Sequence, residues 1–243
     1  MYLLAIAAPT TFFCEKAVSR TGTSLKGWYS LSKLSLLLIV PPSFCFVLLT
    51  AYFWLYGQGL GFVFIEKTNE IFDLYITALK GQGQNINPSL SKQLDGVKRS
   101  FADTAPALIS IFWMSLIVLN GLIAQSILKK SNRNQRPSFA IREVQIPRSF
   151  AVIFLSSLAL ASFSSGELGY LVTNLTAILA FPVMLTGLGV IHTFADKTNY
   201  SGSILLVLYL IIMFSRWAAI FVVLVGIADH FLKLRNKVQA DKV

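Results

Sequence analysis

Residues 34–56 read LSLLLIVPPSFCFVLLTAYFWLY. These 23 residues include no charged side chain. As a helix they extend about 35 Å at 1.5 Å per residue, enough to cross a hydrocarbon core of roughly 30 Å. Working outward, further apolar stretches lie at about 105–128, 148–165 and 171–195, and a longer one covers 203–234. The whole composition agrees. Of 243 residues, 55% are hydrophobic and 13% charged, with nineteen Phe and a mean hydropathy of +0.65, whereas a soluble domain has about 25% charged residues. The fold class is therefore all-α: a polytopic transmembrane helical bundle of five to six spans, forming one integral membrane domain over 1–243. Residues 1–13 are too short to span and read as the end of a helix. They lack the basic n-region of a cleavable signal peptide.

The net charge of +10 follows from where Lys and Arg sit. Between 15 and 33, Lys16, Arg20, Lys26 and Lys33 stand against Glu15. Between 129 and 149, six basic residues stand against Glu143, while the loop 57–104 has five of each sign. Because basic residues accumulate on the cytoplasmic side, 15–33 and 129–149 are assigned to the cytoplasm and 57–104 to the outside. As one helix, 203–234 would put Arg216 near mid-bilayer, at about 2.5–3.5 kcal/mol or more. It would also carry the basic tail outward. A turn at 214–217 removes both difficulties at the expense of two short halves, 203–215 and 216–234. The hairpin is the reading taken, one long helix its alternative, and the hairpin leaves the C-terminus cytoplasmic. In the outer loop, Ile71, Tyr75 and Leu79, then Leu90, Leu94, Val97 and Phe101, recur at helical spacing. They predict two short surface helices joined by the turn-rich stretch 81–88.

Polar residues inside apolar spans need partners. Asn120 and Gln125 lie on the second span, Asn174 and His192 on the fourth, and Asp229 near the end of the last. His192 and Asp229 fall at similar depth. They would form a pair able to relay protons or hold a gate, since His titrates near neutral pH, or each would bond a neighbouring helix. Asn174 would either share an outer vestibule with Glu167 or bond a neighbouring helix. Pro182 frees the carbonyl of Ile178 and predicts a kink. Ser157, Ala161 and Ser165, with Gly187 and Gly189, read as packing faces. Two Cys and two His build no zinc spacing or disulfide framework. No nucleophile elbow, phosphate-binding loop or metalloprotease signature is present either. The reading is no enzyme, no cofactor and no metal.

Several segments in order carry a resemblance: Pro106-Ala-Leu, Leu119-Asn120, Ala124-Gln125, Arg136-Pro137-Ser138, Ile146-Pro147-Arg148, Asn174, Gly187-Leu-Gly-Val-Ile-His192, Gly226-Ile-Ala-Asp229 and Arg235, with Trp28-Tyr29 upstream. Together they resemble the YybS-like family of predicted bacterial membrane proteins, DUF2232, a domain of unknown function. Family members begin with further apolar helices, so this chain reads as starting part-way through one. The family is distantly similar to the substrate-binding membrane subunits of energy-coupling-factor vitamin transporters, a fold-level likeness that does not fix function. The polar groups Asn120, Asn174, His192 and Asp229 motivate the leading expectation, an inner-membrane subunit that binds or helps move a small solute without catalytic chemistry. The alternative is a non-catalytic scaffold or assembly factor. The partners expected are the lipid bilayer and other membrane proteins, as coupling subunit or assembly partner, and no nucleic acid.

Overall fold

In hydrocarbon a backbone can satisfy its N–H and C=O groups within one segment only as a helix, and the chain takes that course. The computed structural model describes residues 7–18, 29–82, 88–133 and 141–235. Its helices are α1 Ala8–Val18, α2 Leu31–Leu55, α3 Leu60–Gly81, α4 Pro88–Lys130, α5 Arg148–Phe163, α6 Gly166–Ala195, α7 Ser201–Phe214 and α8 Arg216–Leu232, with a 3-10 turn at Ile141–Glu143. No strand occurs among the described residues.

Among the described residues three helices, α2, α4 and α6, are long and apolar enough to cross a membrane. The pair α7 and α8, bent by 119° at a one-residue break, passes as a fourth, either as a broken span or as a re-entrant loop. The five to six spans read from sequence also counted α5 and each half of that pair. At 16, 14 and 17 residues these fall below the roughly 20 a full crossing needs. Ser215 makes the break: its backbone is extended (φ −130°, ψ 113°). Its N–H closes α7 on the Ile211 carbonyl at 2.8 Å, and its own carbonyl accepts from Ala218 N–H at 3.1 Å. Arg216 is the first residue of α8, exposed, with its guanidinium 5.9 Å from the Trp217 ring centre.

The outer loop differs from its sequence reading. The stretch with Leu90, Leu94, Val97 and Phe101 is not a separate surface helix but the beginning of α4, which runs 43 residues through Pro106. The first periodic stretch lies in α3, and Lys98 of α4 meets Asp73 of α3 at 3.4 Å. Residues 83–87 of the expected connector, 134–140 of the basic loop and 1–6 of the N-terminal fragment lie outside the described residues. α6 likewise continues through Pro182.

The chain divides into two compact units. The first takes Met1–Pro41, Phe112–Ser156 and Leu179–Val243. Leu38, Met114, Ile117, Phe154, Val183, Val190 and Val222 are buried in it. Here α6 and α8 approach backbone to backbone. A Cβ on Gly187 would run into the Val222 carbonyl, and one on Gly226 into the Val183 carbonyl. Close approach through small residues is how membrane helices gain van der Waals contact without a hydrophobic driving force. Gly187→Leu or Gly226→Leu should therefore lower stability by about 1–3 kcal/mol, the range for overpacking. Gly202, where a Cβ meets nothing within 4 Å, should accept Ala unchanged. Thermal unfolding in mild detergent checks both.

The second unit takes Pro42–Ile111 and Ser157–Ile178, with Leu60, Ala102, Ala105, Ala107, Val172 and Ile178 buried. Glu167 accepts the Gly61 N–H at 3.1 Å, placing a carboxylate at the positive N-terminal end of α3. Gly59 has no room for a Cβ beside that carboxylate. At the end of α2, Tyr52, Trp54 and Tyr56 are exposed, as suits side chains gathered at a membrane interface.

Candidate functional site

Pro106 interrupts α4 inside the second unit. It has no N–H, so the Ala102 carbonyl loses its usual donor. Tyr170 of α6 supplies one, its hydroxyl 3.1 Å from that oxygen. Asn174 lies one turn further along α6. Its Oδ1 accepts Ala107 N–H at 3.1 Å, and its Nδ2 donates to the Asp103 carbonyl at 2.9 Å and to the Tyr170 carbonyl at 3.0 Å. Asn174 is 1% exposed, and an amide has two N–H donors in all. Both donors are engaged, so Asn174 has none left for a solute. Nor does it share a vestibule with Glu167, which caps α3 instead.

A second polar cluster closes α8 in the first unit. Lys233 takes a left-handed conformation (φ 49°, ψ 47°), and the turn brings Arg235 back onto Asp229. Arg235 Nε meets Asp229 Oδ2 at 2.9 Å, and the Arg235 backbone N–H donates to Oδ1 at 3.1 Å. Nη1 donates to the Arg142 carbonyl at 2.6 Å and Nη2 to the Thr186 carbonyl at 3.4 Å. Both charged side chains are buried, 5% and 8% exposed. One guanidinium thus ties α8, α6 and the 3-10 turn together, and Gly189 leaves it room. The pair expected between His192 and Asp229 does not form. His192 Nε2 lies 3.0 Å from the Tyr209 hydroxyl. Asp229 takes Arg235 instead, through one charge-assisted bond from Nε and one bond from the backbone N–H. Arg142 also meets Asp196 at 2.9 Å, with both side chains exposed.

A pocket of about 170 Å³ opens in the first unit among α1, α2, α4 and the 141–144 segment. Phe13, Cys14, Leu34, Leu38, Ile117 and Gly121 are among its lining residues. Burial pushes the Cys14 thiol above its ordinary pKa. Thr10, also in the lining, has a buried hydroxyl without a hydrogen-bond partner. Gln125 follows Gly121 by one turn on the same face of α4, and its Oε1 is likewise buried and unpartnered. Asn120 is half-buried on the same helix. Of the five residues singled out from sequence, Gln125 alone has a buried polar atom with an unmet hydrogen bond; it does not line the pocket but follows Gly121 of the lining by one helical turn. Asn174, His192 and Asp229 are held by the protein itself. The pocket was not read from sequence, because one wall comes from α1, whose 11 residues are too few to count as a span. Tyr170 and Arg235 were missed as partners, although a proline inside a span is itself a signal that a donor must come from another helix. No group of three or more His, Cys, Asp or Glu is placed to hold a metal among the described residues.

Residues 30–230 match the family described as a predicted membrane protein, DUF2232. No curated protein and no solved structure matches the chain. The matched stretch runs from the start of α2 to the last turn of α8, taking in the whole Asn174 cluster and, of the second cluster, Arg142, Thr186 and Asp229 but not Arg235. The chain thus belongs to the DUF2232 family of predicted membrane proteins.

Proposed function

We propose that the protein is a non-catalytic, transport-associated subunit of the bacterial inner membrane that binds a small amphiphilic solute, with its C-terminus in the cytoplasm. The observation that carries this reading is the apolar pocket among α1, α2 and α4. A polar solute would need free donors and acceptors, and those of Asn174, Asp229 and Arg235 are spent between helices. A pocket of this size and lining favours hydrocarbon instead: an apolar cavity of about 150 Å³ stays dry and admits a benzene-sized guest. The orientation rests on the excess of Lys and Arg in 15–33 and 129–149.

Gly121→Leu tests the reading. A Cβ on Gly121 meets nothing within 4 Å, so the leucine grows into the pocket, and leaving glycine favours the helix by about 0.5–1 kcal/mol. The full chain purified in mild detergent should retain about one equivalent of a small amphiphile in the extracted fraction, read by mass spectrometry. The variant should retain at least about tenfold less while unfolding no earlier. Equal retention would contradict the reading. A stoichiometric membrane-protein partner in place of a retained solute would favour the scaffold alternative.

A further inference from the structure

We infer that the pocket holds the chain of a single-chain anionic glycerophospholipid, whose free glycerol hydroxyl meets Gln125 and whose phosphate meets Lys129. This rests on the binding reading above and names its ligand class. Three consecutive positions on one face of α4 carry the argument. Gly121, Gln125 and Lys129 are four residues apart, so they rise about 6 Å and turn about 40° per step. The first lines an apolar pocket. The second offers a buried carboxamide oxygen that accepts no hydrogen bond. The third is an exposed cation at the end of the helix. Read along the helix, the order is hydrocarbon, acceptor, positive charge.

That order is the complement of one lipid chemistry. A buried acceptor without a donor is costly, and a ligand hydroxyl would relieve it. Diacyl lipids have only ester carbonyls between chain and phosphate, which are acceptors and leave Gln125 Oε1 unmet. A lipid with one acyl chain keeps a glycerol hydroxyl at that point. The lining agrees, since a pocket of about 170 Å³ among mainly apolar side chains suits an acyl-chain segment. Lys129 is the first of the six basic residues in 129–149, and a juxtamembrane cation favours an anionic headgroup.

The test titrates the full-length protein in mild detergent, by native mass spectrometry, with 1-acyl-glycerol 3-phosphate, its diacyl counterpart and 1-acyl-glycerophosphocholine. The single-chain anionic lipid should bind at least about fivefold more tightly than either comparator, the worth of one hydrogen bond or one cation. Gln125→Leu should erase the preference over the diacyl lipid, and Lys129→Gln the preference over the choline lipid. Gly121→Leu should block all three. The comparison among lipids needs only the native chain, so a variant that fails to fold does not shield the inference. Equal binding of the three lipids, still blocked by Gly121→Leu, overturns the ligand class and leaves the pocket as a binding site. Absence of any binding that Gly121→Leu blocks overturns both.

Discussion

Replacing Arg235 with alanine should lower stability by about 3–5 kcal/mol, the cost of breaking a buried ion pair by removing one partner. The variant leaves the Asp229 carboxylate buried without its guanidinium, and it releases the Arg142 and Thr186 carbonyls that Arg235 binds. Asp229→Ala should cost a similar amount. The double variant Asp229→Leu/Arg235→Met should recover most of the loss, because replacing both charges with apolar groups of similar volume is often near neutral. Recovery of that kind identifies the pair as a clasp whose net worth is small but whose halves cannot stand alone. The exposed Arg142–Asp196 bridge provides the contrast: Asp196→Ala should change stability by less than about 1 kcal/mol. Unfolding in mild detergent followed by tryptophan fluorescence reads all four variants, and losses for Arg235→Ala and Asp229→Ala that simply add would count against the clasp.

Asn174→Leu should cost about 2–4 kcal/mol. It removes the acceptor of Ala107 N–H and the donor to the Asp103 carbonyl at a buried site, and each orphaned group costs about 1–3 kcal/mol. The loss should depend on Pro106. In a Pro106→Ala background α4 regains the N–H that Ala102 lacks and can close its own turn, so Asn174→Leu and Tyr170→Phe should each cost less than half as much as in the native chain. A double-mutant cycle in the same unfolding measurement checks this. Equal costs in both backgrounds would mean that Asn174 and Tyr170 do not serve the proline break.

The two clusters explain which parts of the molecule were legible. The apolar run 34–56 needs only length and the absence of charge to be read as a span, and so do the long helices around Pro106 and Pro182. Helix ends were harder. The separate surface helix expected at 90–101 merges into α4 because Asn174 and Tyr170, some seventy residues later, make good the bonds that Pro106 removes. No local pattern around residue 106 contains that information. The same holds for Asp229. Depth along the span pairs it with His192, but the left-handed Lys233 turns the chain so that Arg235, six residues on, arrives first. The sequence does flag Asn174, His192 and Asp229 as polar in an apolar setting. It does not say that their bonds are satisfied internally, and this is what turns attention from them to the pocket. That pocket was the least legible feature, since its walls come from five separate stretches of chain and its lining is mostly ordinary apolar sequence.

The alkylation rate of Cys14 by N-ethylmaleimide, in a Cys45→Ser chain, tests pocket occupancy most directly. Cys14 lines the pocket, and the maleimide reacts with the thiolate. Because burial raises its pKa, the thiolate fraction is small at neutral pH and labelling should accelerate as pH rises. At a fixed pH, protein purified with its bound amphiphile should label at least about tenfold more slowly than protein washed free of it, and Gly121→Leu should label slowly in both states. Equal rates for the native pocket before and after washing would contradict an occupied site among α1, α2 and α4.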